Sequence, residues 1–175
     1  MMSLEERRFA DLASDHRSRY YGKYRGTVKT VMTGKDLGKL VVKVPEVYGD
    51  LDSPPAWPCA PFAGAQHGLV ALPEEGDGVW VEFEAGNPSR PIWTGGWWAD
   101  GAIPDPAAPH VRIWATKANL KIVLDDDAKE LRLEHPSGAT ISLSNDGLSL
   151  SFNSTGITMN DDGITVTGLV QVSAE

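Results

Sequence analysis

Four histidines, one cysteine and three acidic clusters are the side chains here whose types could carry chemistry. His16, His67, His110 and His135 each stand alone. None is spaced HxH or HxxxH, the spacings that bring two imidazoles to one metal ion. They read as isolated loop or surface histidines. Cys59 sits in AWPCAPF. A reactive thiol needs a base and an electropositive setting, and none is discernible, so Cys59 reads as packed. A single cysteine excludes both an internal disulfide and a cysteine-based zinc site. Asp125, Asp126 and Asp127 follow a strand-like run, and NDDG occupies 160–163. Calcium is the chemistry such groups could do, but the spaced oxygens and bidentate Glu of an EF-hand loop are missing; hairpin turns account for them. Glu74 and Glu75 beside the GDG turn read as solvated charge. No GxSxG, phosphate-binding loop or paired-carboxylate constellation occurs. The expectation is no catalysis, no cofactor and no metal.

One cluster remains. Residues 17–43 hold Arg17, Arg19, Lys23, Arg25, Lys29, Lys35, Lys39 and Lys43 against Asp36 alone. On a small barrel this would suit a single nucleic-acid strand. The whole chain argues otherwise: 16 basic against 24 acidic residues give a net charge of −8, whereas duplex binding needs a basic surface. The cluster reads instead as a solvated strand face or a patch that meets an acidic subunit.

The elements that must position these groups are mostly strands. A chain of 175 residues with 41% hydrophobic content forms one or two domains at roughly 100–200 residues each, and global disorder is excluded. The opening MMSLEERRFADLASDH has no apolar stretch of the signal-peptide kind. The uncharged window 56–73 is broken by Pro58, Pro61, Gly64, Gly68 and Pro73 and cannot be a spanning helix. Ser3 and Glu6 have capping-box spacing, and Leu4, Phe9, Leu12 and Ala13 could share a helical stripe. In 21–33 Lys23, Arg25 and Lys29 alternate with Tyr24, Val28 and Met32. Further strands are expected at 39–44, 68–72, 79–84 and 91–97. Val79, Val81 and Phe83 share a face, with Trp80, Glu82 and Glu84 opposite. AGNPSRP is turn-forming, and Pro91 is expected at a sheet edge, where a missing N–H costs least. About five strands with a long Pro-rich excursion at 50–65 suit a five-stranded OB barrel.

The last third differs. All six tryptophans precede residue 115, and Phe152 is the one aromatic after 120. Short alternating strands follow one another: LKIVL, LRLE, TISLS, LSLSF, ITM, ITV, VQV. Gly138, Gly147, Gly156 and Gly163 punctuate them and are expected at positive φ in tight turns. One layer with one apolar stripe cannot cover itself, and such a face invites association. Several copies turning their stripes inward would bury it, with Ser, Thr and Asp toward water.

The stretch GLVALPEEGDGVWVEFEAGNPSRPIWTGGWW, 68–98, resembles the OB signature of the contractile-tail spike family. That family includes phage baseplate assembly protein V and the VgrG spike of type VI secretion. The matching motif positions are Gly76, Asp77, Val79, Val81, Phe83, Gly86, Asn87, Pro88, Arg90, Pro91 and Gly95, with Pro73 and Ile92. The opening strands, YYGKYRGTVKTVMTGKDLGKLVVKVPEVYG, are similar too, so the resemblance spans about 20–98. The Gly-punctuated strands resemble the intertwined trimeric β-helix that follows this domain. The resemblance implies an all-β chain: an N-terminal segment at 1–19 with a short helix, an OB-fold at 20–100, a Pro-rich connector at 101–119 and a trimeric β-helix or β-prism at 120–175. It implies a trimer core of Ile122, Leu124, Leu131, Leu133, Ile141, Leu143, Leu148, Leu150, Ile157, Ile164 and Val166, and a tip contact at Val170 and Val172. Larger members carry a lysozyme-like or ring-forming domain, and some end in a metal-binding HxH; neither is expected here. The implied protein is a non-enzymatic homotrimeric central spike. It is made in the bacterial cytoplasm and assembled into a virion baseplate or a secreted contractile particle. Its expected partners are hub proteins, a PAAR-like tip or cargo protein and, transiently, a target membrane; no nucleic acid is expected. The alternatives are an OB single-stranded nucleic-acid-binding module, testable by salt-dependent strand binding, and a cell-wall glycan hydrolase, which would need a paired acid and nucleophile.

Overall fold

A computed structural model describes residues 4–8 and 18–168. The chain divides into two compact units, Met1–Gly101 and Ala102–Glu175. Residues 4–8 are helical and exposed. Ser3, Phe9, Leu12 and Ala13, the rest of the expected capping box and stripe, lie outside the described residues.

The first unit contains one five-stranded sheet. Its strands are β1 (Tyr24–Val31), β2 (Leu40–Lys43), β3 (Trp57–Pro58), β6 (Gly78–Phe83) and β7 (Pro91–Trp97), in the order β2-β1-β6-β7-β3. Neighbours are antiparallel except β3 and β7, which are parallel. Just before β3 the chain also bonds β2. Leu40 and Ala56 exchange both backbone hydrogen bonds, at 3.1 and 2.7 Å. Ser53 donates its N–H to the Val42 carbonyl, and its Oγ accepts from Val42 N. Segment 53–58 thus pairs with both sheet edges, and the sheet curls shut with the strand order of an OB barrel.

Period-two alternation fills the interior. Val28, Leu40, Val42, Val44, Ala56, Val79, Val81, Phe83 and Trp93 form the buried core. Each large side chain so buried contributes about 1.5–3 kcal/mol. Tyr20, Tyr24 and Tyr48 gather round Phe83 with ring centroids 5.5–6.1 Å away. The buried indole of Trp93 donates to the Gly38 carbonyl at 2.9 Å.

Two local expectations change. Residues 69–72 are not a strand. The excursion forms its own small hairpin, β4 (Ala63–Gly64) with β5 (His67–Gly68). After Leu69 donates to the Phe62 carbonyl the chain leaves the hairpin, and Val70 stays exposed. Apolar composition there lacks a partner edge. Pro91 does not sit on an edge strand. It is fully buried as the first residue of β7, beside Phe83, and β3 pairs only from Ile92 onward, so no ladder bond needs the missing N–H. Between β2 and the excursion, Pro45–Tyr48 makes one helical turn, opened by proline at its first position.

The second unit is a seven-stranded antiparallel meander, β8 (Val111–Ala115), β9 (Lys121–Asp125), β10 (Glu130–Glu134), β11 (Ala139–Ser144), β12 (Gly147–Phe152), β13 (Thr155–Asn160) and β14 (Gly163–Thr167), each paired to the next. Its first strand, β8, falls inside the stretch whose composition reads as connector. Gly138, Gly147 and Gly163 do take positive φ, at 91°, 121° and 125°. Gly156 does not: it lies inside β13, and Asn153 supplies the positive φ of its turn at 52°. Glycine serves there by size, since a Cβ would lie 2.9 Å from the Leu150 carbonyl oxygen across the ladder.

Candidate functional site

The motif residues of the first unit build one wall of the barrel. Val79, Val81 and Phe83 point into the core. The turn before β6 is locked: Gly76 N donates to the Val28 carbonyl, Val28 N donates back to Asp77, and the Asp77 carboxylate accepts from Glu74 N at 2.8 Å. Gly76 has φ 92°, a conformation that favours glycine. Between β6 and β7, Gly86 (φ 74°) is buried. Its missing Cβ makes room for the Tyr21 ring, which would lie 2.9 Å away. The Asn87 side-chain oxygen accepts from Ser89 N, and Arg90 pairs with Glu84 at 2.8 Å. The Pro88 carbonyl accepts the Tyr48 hydroxyl at 2.6 Å, and burial pushes the Tyr48 phenol up to about 12. Gly95 takes φ 127° within β7. These residues hold backbone together and present no reactive group.

The second surface is the apolar face of the meander. Register places Trp114, Ile122, Leu133, Ile141, Leu150, Ile157 and Val166 side by side across all seven strands. A parallel row runs Leu124, Leu131, Leu143, Leu148, Met159, Ile164. Every one of these side chains is 38–68% exposed. Eleven of them are the residues expected to form an inward stripe; Trp114 joins them as a large aromatic that composition assigned to the connector. The opposite face is polar. Thr140 meets Ser151 and Ser142 meets Ser149, with hydroxyl oxygens 2.6 and 2.7 Å apart. Arg132 bonds Glu134 and Glu130, which raise its pKa further. Val123 is the buried residue of that face, where Lys121 reaches the Asp105 carbonyl at 2.8 Å. Val170 and Val172, the expected tip contact, lie outside the described residues.

The residues with chemical potential stay apart. His67 Nδ1 lies 3.1 Å from the Ala65 carbonyl, His135 Nδ1 lies 2.7 Å from Ser137 Oγ, and the His110 carbonyl accepts from Asp126 N. Cys59 is exposed rather than packed. Asp125 caps Ala128 N and Asp126 pairs with Arg112. Among the described residues no three His, Cys, Asp or Glu side chains converge on a point where a metal could sit, and no helix is long and apolar enough to cross a membrane.

Sequence reasoning missed the outer face of the barrel, where Trp97 lies across Gly78. The signal was Gly78 at the head of an alternating strand run, a glycine position that marks close approach by another group.

No curated protein matches the chain. Residues 24–98 match the model of the type VI secretion system/phage-baseplate injector OB domain. The matched stretch begins at the first residue of β1 and ends one residue past β7, so it coincides with the barrel just described. The barrel, residues 24–98, is thus similar to the injector OB domain of type VI secretion systems and phage baseplates.

Proposed function

We propose that this chain is the central spike of a contractile injection particle, acting as a homotrimer and as a structural element rather than an enzyme. The observation that carries the reading is the continuous apolar face of the meander, exposed across seven strands in a chain whose other unit matches the injector OB-domain model. Three copies that turn these faces toward a common axis form a prism with an apolar interior. The hydroxyl ladders and the Arg132 fork then lie outside, toward water. The eleven stripe residues from Ile122 to Val166 make the trimer core.

Rigidity is the mechanism. Each sheet is already tied by six consecutive hairpin ladders. A prism built from three such sheets shears only if many backbone bonds and the whole apolar seam fail together. Such an object transmits an axial push and breaches an envelope. The barrel, with residues 1–16 and the 50–65 excursion, contacts the baseplate hub. The end beyond β14, with Val170 and Val172, receives a PAAR-like tip or cargo protein. The protein is made in the cytoplasm and leaves it as part of a virion or secreted particle.

Light scattering on the purified chain tests this. The expected mass is three times 18.9 kDa, and deletion of 120–175 weakens assembly. A stable monomer of the full chain at micromolar concentration would falsify the reading.

A further inference from the structure

The outer surface of the barrel carries a cluster that neither the motif nor the apolar sheet employs. Arg25 projects from β1, exposed, with its guanidinium carbon 4.9 Å from the ring centroid of Trp97 and 5.5 Å from that of Trp80. Trp80 is its direct partner across the β1–β6 ladder. Trp97 arrives from β7. It can lie flat across the sheet because its partner on β6 is Gly78: a Cβ there would lie 2.5 Å from the indole. The Trp97 N–H donates to the Val79 carbonyl at 3.2 Å, which fixes the ring.

A guanidinium held over indole faces is attracted by the ring quadrupoles. Its planar fork of donors remains available for two-point recognition of a carboxylate. Among the described residues no carboxylate or carbonyl accepts from Arg25. Of the other cations at β1, Lys23 is engaged with Glu82 at 2.9 Å and with the Thr94 hydroxyl, while exposed Lys29 has no ion pair among the described residues. Arginine and tryptophan are also the residues that most often dominate interface energetics.

We infer that Arg25, framed by Trp80 and Trp97, is a docking point for a glutamate or aspartate side chain on an acidic segment of a partner protein. A nucleic-acid strand is the competing polyanion. It needs several free cations in line, one for each phosphate engaged. Here Lys23 is already paired with Glu82, which leaves only Arg25 and Lys29 as unpaired cations on β1, and the chain carries −8 overall.

The test uses the full chain with a capped hexaglutamate peptide as probe and a six-phosphate oligothymidylate as comparison. Binding is followed by tryptophan fluorescence, and the Arg25 Nε–H resonance is followed by NMR in the wild-type protein. Light scattering runs in parallel, so that assembly is read separately from binding. Saturable peptide binding is expected, with a shift of the Arg25 resonance. Arg25→Lys keeps the charge and loses the fork, and it should weaken the peptide about tenfold or more; Trp97→Leu should also weaken it. The inference is overturned by any of three results: no saturable peptide binding or no Arg25 shift in the wild type, unchanged affinity in Arg25→Lys, or tighter binding of the oligothymidylate than of the peptide.

Discussion

Leu150→Asp should dissolve the proposed trimer, while Ser149→Asp, one residue away, should leave it intact. Leu150 lies in the apolar row between Ile141 and Ile157 and is 49% exposed in the single chain. Burying the remaining half of a leucine is worth about 1 kcal/mol per copy, half the value for full burial, and threefold symmetry makes that about 3 kcal/mol per trimer. Aspartate adds repulsion. If three carboxylates face one another at the usual sheet-packing distance of about 10 Å, an effective dielectric constant of about 20 gives roughly 1.7 kcal/mol per pair, or about 5 for three pairs. The total of about 8 kcal/mol per trimer is comparable to the whole stability of many domains. Ser149 points the other way, where its hydroxyl meets Ser142, and a carboxylate there keeps water and a hydrogen-bond donor. The assay is light scattering at several micromolar, with thermal melting of each variant. If both substitutions leave mass and melting unchanged, or both abolish the trimer alike, the inward face is wrongly assigned.

Gly78→Ala should destabilise the barrel by about 1–3 kcal/mol, as overpacking does, because the new methyl drives the Trp97 ring off the sheet; denaturant melting and a changed near-ultraviolet tryptophan signal would show it, and a neutral outcome would mean the ring is not seated there. Gly147→Ala should be more damaging than Gly163→Ala, since only the first runs into a backbone carbonyl, that of Met159; thermal melting ranks them. Tyr48 should titrate near pH 12 rather than 10 because it is partly buried. Its folded pKa is raised, so its contribution to stability is complete below about pH 10 and is lost as pH rises toward 12. Tyr48→Phe should remove that alkaline loss, at about 1 kcal/mol for the hydrogen bond to Pro88; ultraviolet phenolate titration alongside melting curves checks both.

Much of this protein was legible in its sequence because β-structure writes itself with a period of two. Val79, Val81 and Phe83 had to share a face, and so did Leu131 with Leu133 and Leu148 with Leu150. The Gly76-Asp77 and Gly86-Asn87-Pro88 motifs marked the turns that flank β6. What the sequence could not show were relations between residues far apart in the chain. Closure of the barrel depends on Ser53 and Ala56 reaching β2 while Trp57 pairs with β7; nothing local in a Pro-rich excursion announces two partners. Gly156 looks like a turn glycine beside Gly147 and Gly163, yet cross-strand crowding by the Leu150 carbonyl decides its role. Trp114 reads as the end of a connector until register sets it beside Ile122. Arg25 reads as one charge among eight until Gly78 lets Trp97 lie next to it. Local pattern fixes which side of a strand a residue faces, because that depends only on alternation. Which side chains meet across the sheet depends on register and closure, and those are set by hydrogen bonds between segments that only the folded chain brings together.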